Sequence, residues 1–308
     1  MKRLTIPAAG LDAPSVILGM MRIANMSDAE IRALVRTARD SGIDYVDHAD
    51  IYGRRLHECE ERFAAAMQLG SAEREAFTIQ TKVGIADGYY DSSYEHIVHQ
   101  VNGSLRALRT DVIDVLLLHR PDALVEPEEV ARAVSDLVSA GKVRHVGVSN
   151  HTAGQIELLQ AALDQQIAIN QVQLSIVHSP IITQGMAANM VGLDQAVVRD
   201  GGGLLDYCRI NNITIQAWSP FQGDHSVSLF DRSRYRELNE MMDGLADKYA
   251  VEPAAIATAW IARHPAAMQA IVGTTRPERL RAAAAGADLQ LSRPEWYGLL
   301  QAAGWSIP

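Results

Sequence analysis

Eight short runs rich in β-branched residues recur along the chain, separated by longer stretches with helical apolar spacing, and this alternation limits the fold more than any other feature. The runs are Val16 to Gly19, Ile43 to Asp47, Phe77 to Lys82, Ile113 to His119, Val143 to Ser149, Ala168 to Gln171, Ile213 to Trp218 and Met268 to Val272. The stretches between them carry helix starts: Ser27 ahead of Asp28 and Glu30, Ser92 opening a run to Arg109, and Pro127 ahead of Glu128 and Glu129. Gly42 and Gly141 follow two of these stretches as left-handed C′ residues that lead straight into a strand. Repeated β-α units demand a parallel sheet. Eight units in 308 residues fit an α/β fold of the (β/α)8 TIM barrel type, one domain over 1–308, better than two domains.

Two parts exceed the minimal barrel. The opening LTIPAAGLDA, with Gly10, reads as a β-hairpin that closes the N-terminal end. The stretch from Leu174 to Gly203 makes a long loop after strand six, with Gly185, Gly192 and three successive glycines, and is expected over the barrel mouth as a lid. A C-terminal tail from Ser292, with Trp296, Tyr297 and Trp305, is expected to cover the mouth or the side of the barrel.

Composition narrows the function classes. Hydrophobic residues make up 48% and charged residues 21%, ample for a core, which excludes wholesale disorder. A net charge of −9 without a Lys/Arg stripe repels phosphate backbones, so no nucleic-acid partner is expected. Cys59 and Cys208 cannot build a disulfide framework or a zinc ribbon. Pro7, Asp12 and Pro14 interrupt the opening where a signal peptide needs an apolar run, and no stretch approaches the ~20 apolar residues of a membrane span. The expectation is a cytoplasmic protein with a small-molecule substrate. No feature of the sequence assigns an oligomeric state.

In such a barrel, chemistry comes from the C-terminal strand ends, and four of them are polar. Strand two ends at Asp47 and runs on through His48 and Asp50 to Tyr52; strands three, four and five end at Lys82, His119 and Ser149-Asn150. Parity puts Asp47 with Tyr45, Lys82 with Gln80 and His119 with Leu117, so all three can face the mouth. A phenol beside an ammonium that is paired in turn to a carboxylate can act as a proton donor.

The strings VDHADIYG, TKVG, LLLHRPD, VGVSN, NQVQLS, AWSPFQG and IVGTTRPERL, in that order, resemble the aldo-keto reductase superfamily, and DHADIYG is similar to a bacterial branch of it. The resemblance implies an NADPH-dependent oxidoreductase that reduces aldehydes or ketones to alcohols by hydride transfer. It makes Tyr52 the general acid, Lys82 and Asp47 the pair that tunes it, and His119 the group that orients the carbonyl, with no metal. It assigns Ser149, Asn150 and Gln171 to the carboxamide, Trp218 to the nicotinamide ring, and Ser219, Pro220, Phe221 and Gly223 to the pyrophosphate. Gly273, Thr274, Thr275, Arg276 and Arg279 fall at the motif that takes the adenosine 2′-phosphate, which favours NADPH over NADH. The chain departs from the pattern at His48, at Gly273 where many members have Lys, and at Ala283 where Asn contacts adenine.

Two rival readings stand beside this one. A cofactor-loaded regulatory or partner subunit with slow turnover would keep the barrel, and an intact acid constellation argues against it. His48, Asp50, His119 and Asp122 could be metal ligands of a barrel hydrolase, but Ser149, Gln171 and Trp218 occupy later strand ends where further histidines would be needed. Tyr89, Tyr90, Phe221 and Trp305 are expected to form an aromatic substrate wall. Trp260 with Ile256 and Ile261 reads as core packing.

Overall fold

The computed structural model describes residues 1–186, 203–223 and 227–305. Strands β1 (Arg3–Ile6) and β2 (Leu11–Pro14) form the expected hairpin, with Gly10 at φ 61° in its turn. Strands β3 (Val16–Gly19), β4 (Tyr45–Asp47), β5 (Thr78–Val83), β6 (Ile113–Leu118), β7 (Val143–Ser149), β8 (Ile167–Gln173), β9 (Thr214–Trp218) and β10 (Gln269–Val272) close into a parallel barrel in chain order. This is a (β/α)8 TIM barrel. The helices are α1 (Asp28–Asp40), α2 (Glu58–Met67), α3 (Ser71–Glu75), α4 (Tyr94–Leu108), α5 (Pro127–Ser139), α6 (Ala153–Gln160), α7 (Pro180–Met186), α8 (Leu204–Ile210), α9 (Arg236–Tyr249), α10 (Pro253–Ala262), α11 (Pro277–Ala285) and α12 (Arg293–Ala302).

Local signals explain most boundaries. Ser27 and Glu30 form a capping box at α1, and Pro127 takes the first turn of α5. Gly42 and Gly141 hold φ of 79° and 70°. Several boundaries differ from the sequence reading by one or two residues. Ser93, not Ser92, caps α4, its hydroxyl accepting from the His96 amide, while Ser92 N donates to Asp122. Ile43 is not in the second barrel strand, because its N–H closes the end of α1 on the Ala38 carbonyl. The eighth barrel strand begins at Gln269, one residue after Met268.

The barrel interior is layered. Ile17, Tyr45, Val115, Leu117, Ile169 and Ile271 fill it, sealed from below by Leu4, Ile6 and Ala13 of the hairpin. Strand register then sets a polar layer above: Asp47 lies beside Gln80, and Gln171 beside Gln216, which lies beside Gln269. Gly147 stands at a register shift between β7 and β8, where a Cβ would come within 2.7 Å of the Ile169 carbonyl and Leu117.

The tail packs on the flank. Trp296 of α12 stacks on Trp260 of α10, with ring centroids 5.0 Å apart and 8° between planes. Trp305 reaches the mouth side instead, donating to the Ile176 carbonyl just after β8. The stretch after β8 begins with a turn into α7; its residues 187–202, where a lid was expected, lie outside the described residues, as do 306–308 of the tail. No helix among the described residues is long and apolar enough to cross a membrane.

Candidate active site

After β4 the backbone does not turn away from the sheet. His48 N donates to the Gln80 carbonyl and Asp50 N to the Lys82 carbonyl, so the chain continues along β5 before Tyr52 closes a turn on Ala49. That path returns the Tyr52 side chain to Lys82. The Lys82 ammonium donates to both carboxylate oxygens of Asp47 at 2.8 Å, to the His48 carbonyl at 2.7 Å and to Tyr52 Oη at 3.0 Å. Lys82 is fully buried behind Tyr52 and Asp47, which border the cavity at the barrel mouth.

The electrostatics follow from this packing. Burial would strip the proton from Lys82, but the charge of Asp47 and the bonds to Asp47 and Tyr52 outweigh it and raise its pKa, so the ammonium stays charged. Burial also raises the Tyr52 phenol above its usual range, while Lys82 pulls it back down. His119 sits edge-on to Tyr52 with centroids 5.9 Å apart. Burial, then the positive charges of Lys82 and Arg120, push its imidazole down to about 2, so it is neutral. Its Nδ1 is enclosed without a partner among the described residues, which leaves Nε2 as the nitrogen open to the cavity.

Around this centre the amides are tied to one another. Gln171 donates to Asp47 and Gln216, Ser149 donates to the Gln171 carbonyl, and Asn150 donates to the Ser149 hydroxyl and accepts from the Trp218 indole. Asn150 and Ser219 hold φ of 60° and 50°, the left-handed region that side chains rarely adopt. The cavity, of about 1410 Å³, extends from Tyr52 and His119 past Trp218, Ser219, Pro220 and Phe221 to Gly273, Thr274, Thr275, Arg276 and Arg279. It therefore brings together every residue assigned from sequence except two. Lys82 lies just behind it, and Gly223 packs against Tyr235 and Val177 instead. Of the expected aromatic wall only Phe221 borders it; Tyr89, Tyr90 and Trp305 do not.

Two residues escaped the sequence reading. Gln80 donates to Asp47 at 2.6 Å and to Gln216 at 2.9 Å, fixing the carboxylate from below. A glutamine at the centre of an apolar run, in FTIQTK and ITIQAW, was the available signal. Arg22, on the turn after β3, donates to the Gly273 carbonyl across the mouth, 251 residues away in sequence, where no local pattern could reveal it. His48 and Asp50 are buried; among the described residues neither ring nitrogen of His48 has a hydrogen-bond partner, and no three His, Cys, Asp or Glu side chains gather as metal ligands.

A parallel barrel whose strand ends converge an ammonium, a carboxylate, a phenol and a neutral imidazole at one large cavity is built for acid–base chemistry on a small molecule. The chain belongs to the aldo/keto reductase family, whose model matches residues 15–301, and it is an enzyme, a carbonyl-reducing oxidoreductase. It is 34% identical to Oxidoreductase YdhF of Escherichia coli (strain K12), over 100% of this chain and 99% of that protein. It is also 31% identical to a 6-dehydroglucose reductase of Agrobacterium fabrum, over 94% of each chain. The crystal structure of MGS-M4, an aldo-keto reductase enzyme from a deep-sea metagenome library, shares the fold, with a TM-score of 0.72 and 23% identity over 99% of this chain and 97% of that one.

Proposed function

We propose that this enzyme uses NADPH to reduce aldehydes or ketones to alcohols, with Tyr52 as the proton donor. The observation that carries the reading is the Lys82 ammonium held between the Asp47 carboxylate and the Tyr52 hydroxyl at the cavity floor. The residues present fit a dinucleotide. A cavity of about 1410 Å³ exceeds the roughly 300–1,000 Å³ of drug-sized pockets, leaving room for an extended cofactor beside a small carbonyl. Gly273 borders the cavity without a side chain, so bare backbone can meet a ligand there. Trp218 would carry the nicotinamide ring, Gln171 and its neighbours the carboxamide, and Arg276 and Arg279, at the start of α11, the 2′-phosphate.

When bound, the reduced nicotinamide supplies the hydride that the carbonyl carbon accepts. Tyr52 gives its proton to the carbonyl oxygen. A phenol held above its usual pKa still suffices, because the alkoxide forming on the substrate is a far stronger base than a phenolate. Lys82 stabilises the phenolate left behind, and Asp47 with Gln80 keeps Lys82 charged and in place. Neutral His119 offers an Nε2 hydrogen to the same oxygen, which fixes the carbonyl without competing as an acid. The test is loss of reduced-nicotinamide absorbance with a panel of aldehydes and ketones. Oxidation of NADPH that depends on the carbonyl is the expected result, and none with any carbonyl would overturn the reading.

A further inference from the structure

Arg120 follows His119 at the end of β6 and borders the cavity next to Tyr52 and His119. The other arginines of that cavity have partners or another place. Arg54 clasps Glu58, Arg232 faces Asp243 at 2.8 Å, Arg22 donates to the Gly273 carbonyl, and Arg276 and Arg279 lie at the α11 end. Arg120 makes no ion pair and no side-chain hydrogen bond among the described residues. Carboxylates do not balance it either. Of those bordering the cavity, Asp47 is paired with Lys82 and Asp243 with Arg232, while Glu252 precedes α10, beside the Arg279 end. Among the described residues that border the cavity, the catalytic end thus carries one positive charge without a paired carboxylate, and its field already reaches the neighbouring imidazole, where Arg120 acts with burial and Lys82 against protonation.

A half-buried guanidinium on a cavity that Ile51 and Ile85 also line presents a planar donor fork with no acceptor among the described residues, in surroundings where charge interactions are stronger than in water. We infer that Arg120 selects carbonyl substrates that carry an oxyanion, a carboxylate in the first instance, by binding that group beside the carbonyl being reduced. A neutral aldehyde can reach Tyr52 and His119 but leaves the fork unused. The inference rests on the reductase reading and adds the substrate class.

The experiment compares succinic semialdehyde with butanal, and glyceraldehyde phosphate with glyceraldehyde, in the parent enzyme and in Arg120→Gln and Arg120→Lys. In the parent, the charged member of a pair should show the higher kcat/KM, and that advantage should shrink as salt is raised, since ions screen it. Arg120→Gln should lower kcat/KM for the charged aldehyde roughly ten- to a hundredfold more than for its neutral counterpart, mainly through KM, and remove the salt dependence. Arg120→Lys should keep the salt dependence while losing part of the preference, because a point charge replaces the fork. A preference confined to the succinic semialdehyde pair identifies a carboxylate site, and one confined to the phosphate pair identifies a phosphate site. Equal losses for charged and neutral aldehydes, or a parent enzyme without preference in either pair, would overturn the inference while leaving the reductase reading intact. Failure of the parent to reduce any of the four while it reduces other carbonyls would also overturn this inference alone, and failure with every carbonyl would overturn the reductase reading with it.

Discussion

Lys82 has two tasks, holding Asp47 neutralised and supporting the Tyr52 phenol, and substitution separates them. Lys82→Met leaves a buried carboxylate without its cation and should destabilise the fold by roughly 3–5 kcal/mol. Adding Asp47→Asn should restore most of that stability in urea unfolding but none of the carbonyl reduction; recovery of turnover in the double variant would count against the proposed role of Lys82. Asp50 gives a pH prediction. Burial, then the charge of Glu60, pushes its carboxyl up to about 7. Between the unfolded value near ~4 and that folded value, only the folded protein keeps the proton, so stability falls as pH rises through this window and levels off above it. Asp50→Asn removes the effect, and relative to the parent it should gain about 2–3 kcal/mol between roughly pH 5 and pH 8. Parallel stability curves for the two proteins would refute it. Asp47, Lys82 and His119 were legible because each breaks an apolar pattern at a strand end, and Tyr52 through the resemblance of its motif, whereas Arg22 and Arg120 take their meaning from partners, present or missing, that only three dimensions supply.

At the scale of elements, the β-α alternation shows in the sequence because most strand residues are buried and the strands read as short, largely apolar runs, while each helix needs one apolar stripe. Boundaries were less legible. Ile43 looks like strand but completes the end of α1, and two adjacent serines offer equal caps until Asp122 takes the Ser92 amide. The close approach of α10 to the turn after α11 left no signal either. A Cβ at Gly286 would stand 2.0 Å from the Ala255 carbonyl, which is backbone and cannot swing aside. Gly286→Ala should therefore cost about 1–3 kcal/mol or more, seen as a lower Tm, whereas alanine at Gly154, with nothing within 4 Å, should not destabilise α6. Equal Tm values for the two variants would contradict this packing.

For the whole molecule, the cavity joins the two ends of the barrel sequence, β3 through β10, so a bound cofactor stabilises the closed ring as well as the site. NADPH at about a hundred times its Kd should add about 2.7 kcal/mol to unfolding. Arg279→Ala should shrink that gain for NADPH far more than for NADH, and equal losses would remove the 2′-phosphate from its proposed place. Tyr52 is the proposed proton donor, and Tyr52→Phe tests that role most directly, since one hydroxyl is lost with little volume. Cofactor affinity, read by fluorescence titration, and single-turnover reduction of an aldehyde should be measured on the same preparation. The account predicts NADPH binding close to that of the parent and a reduction rate lower by roughly 10²–10⁴-fold. A Phe variant that reduces the aldehyde at near the parental rate would contradict it.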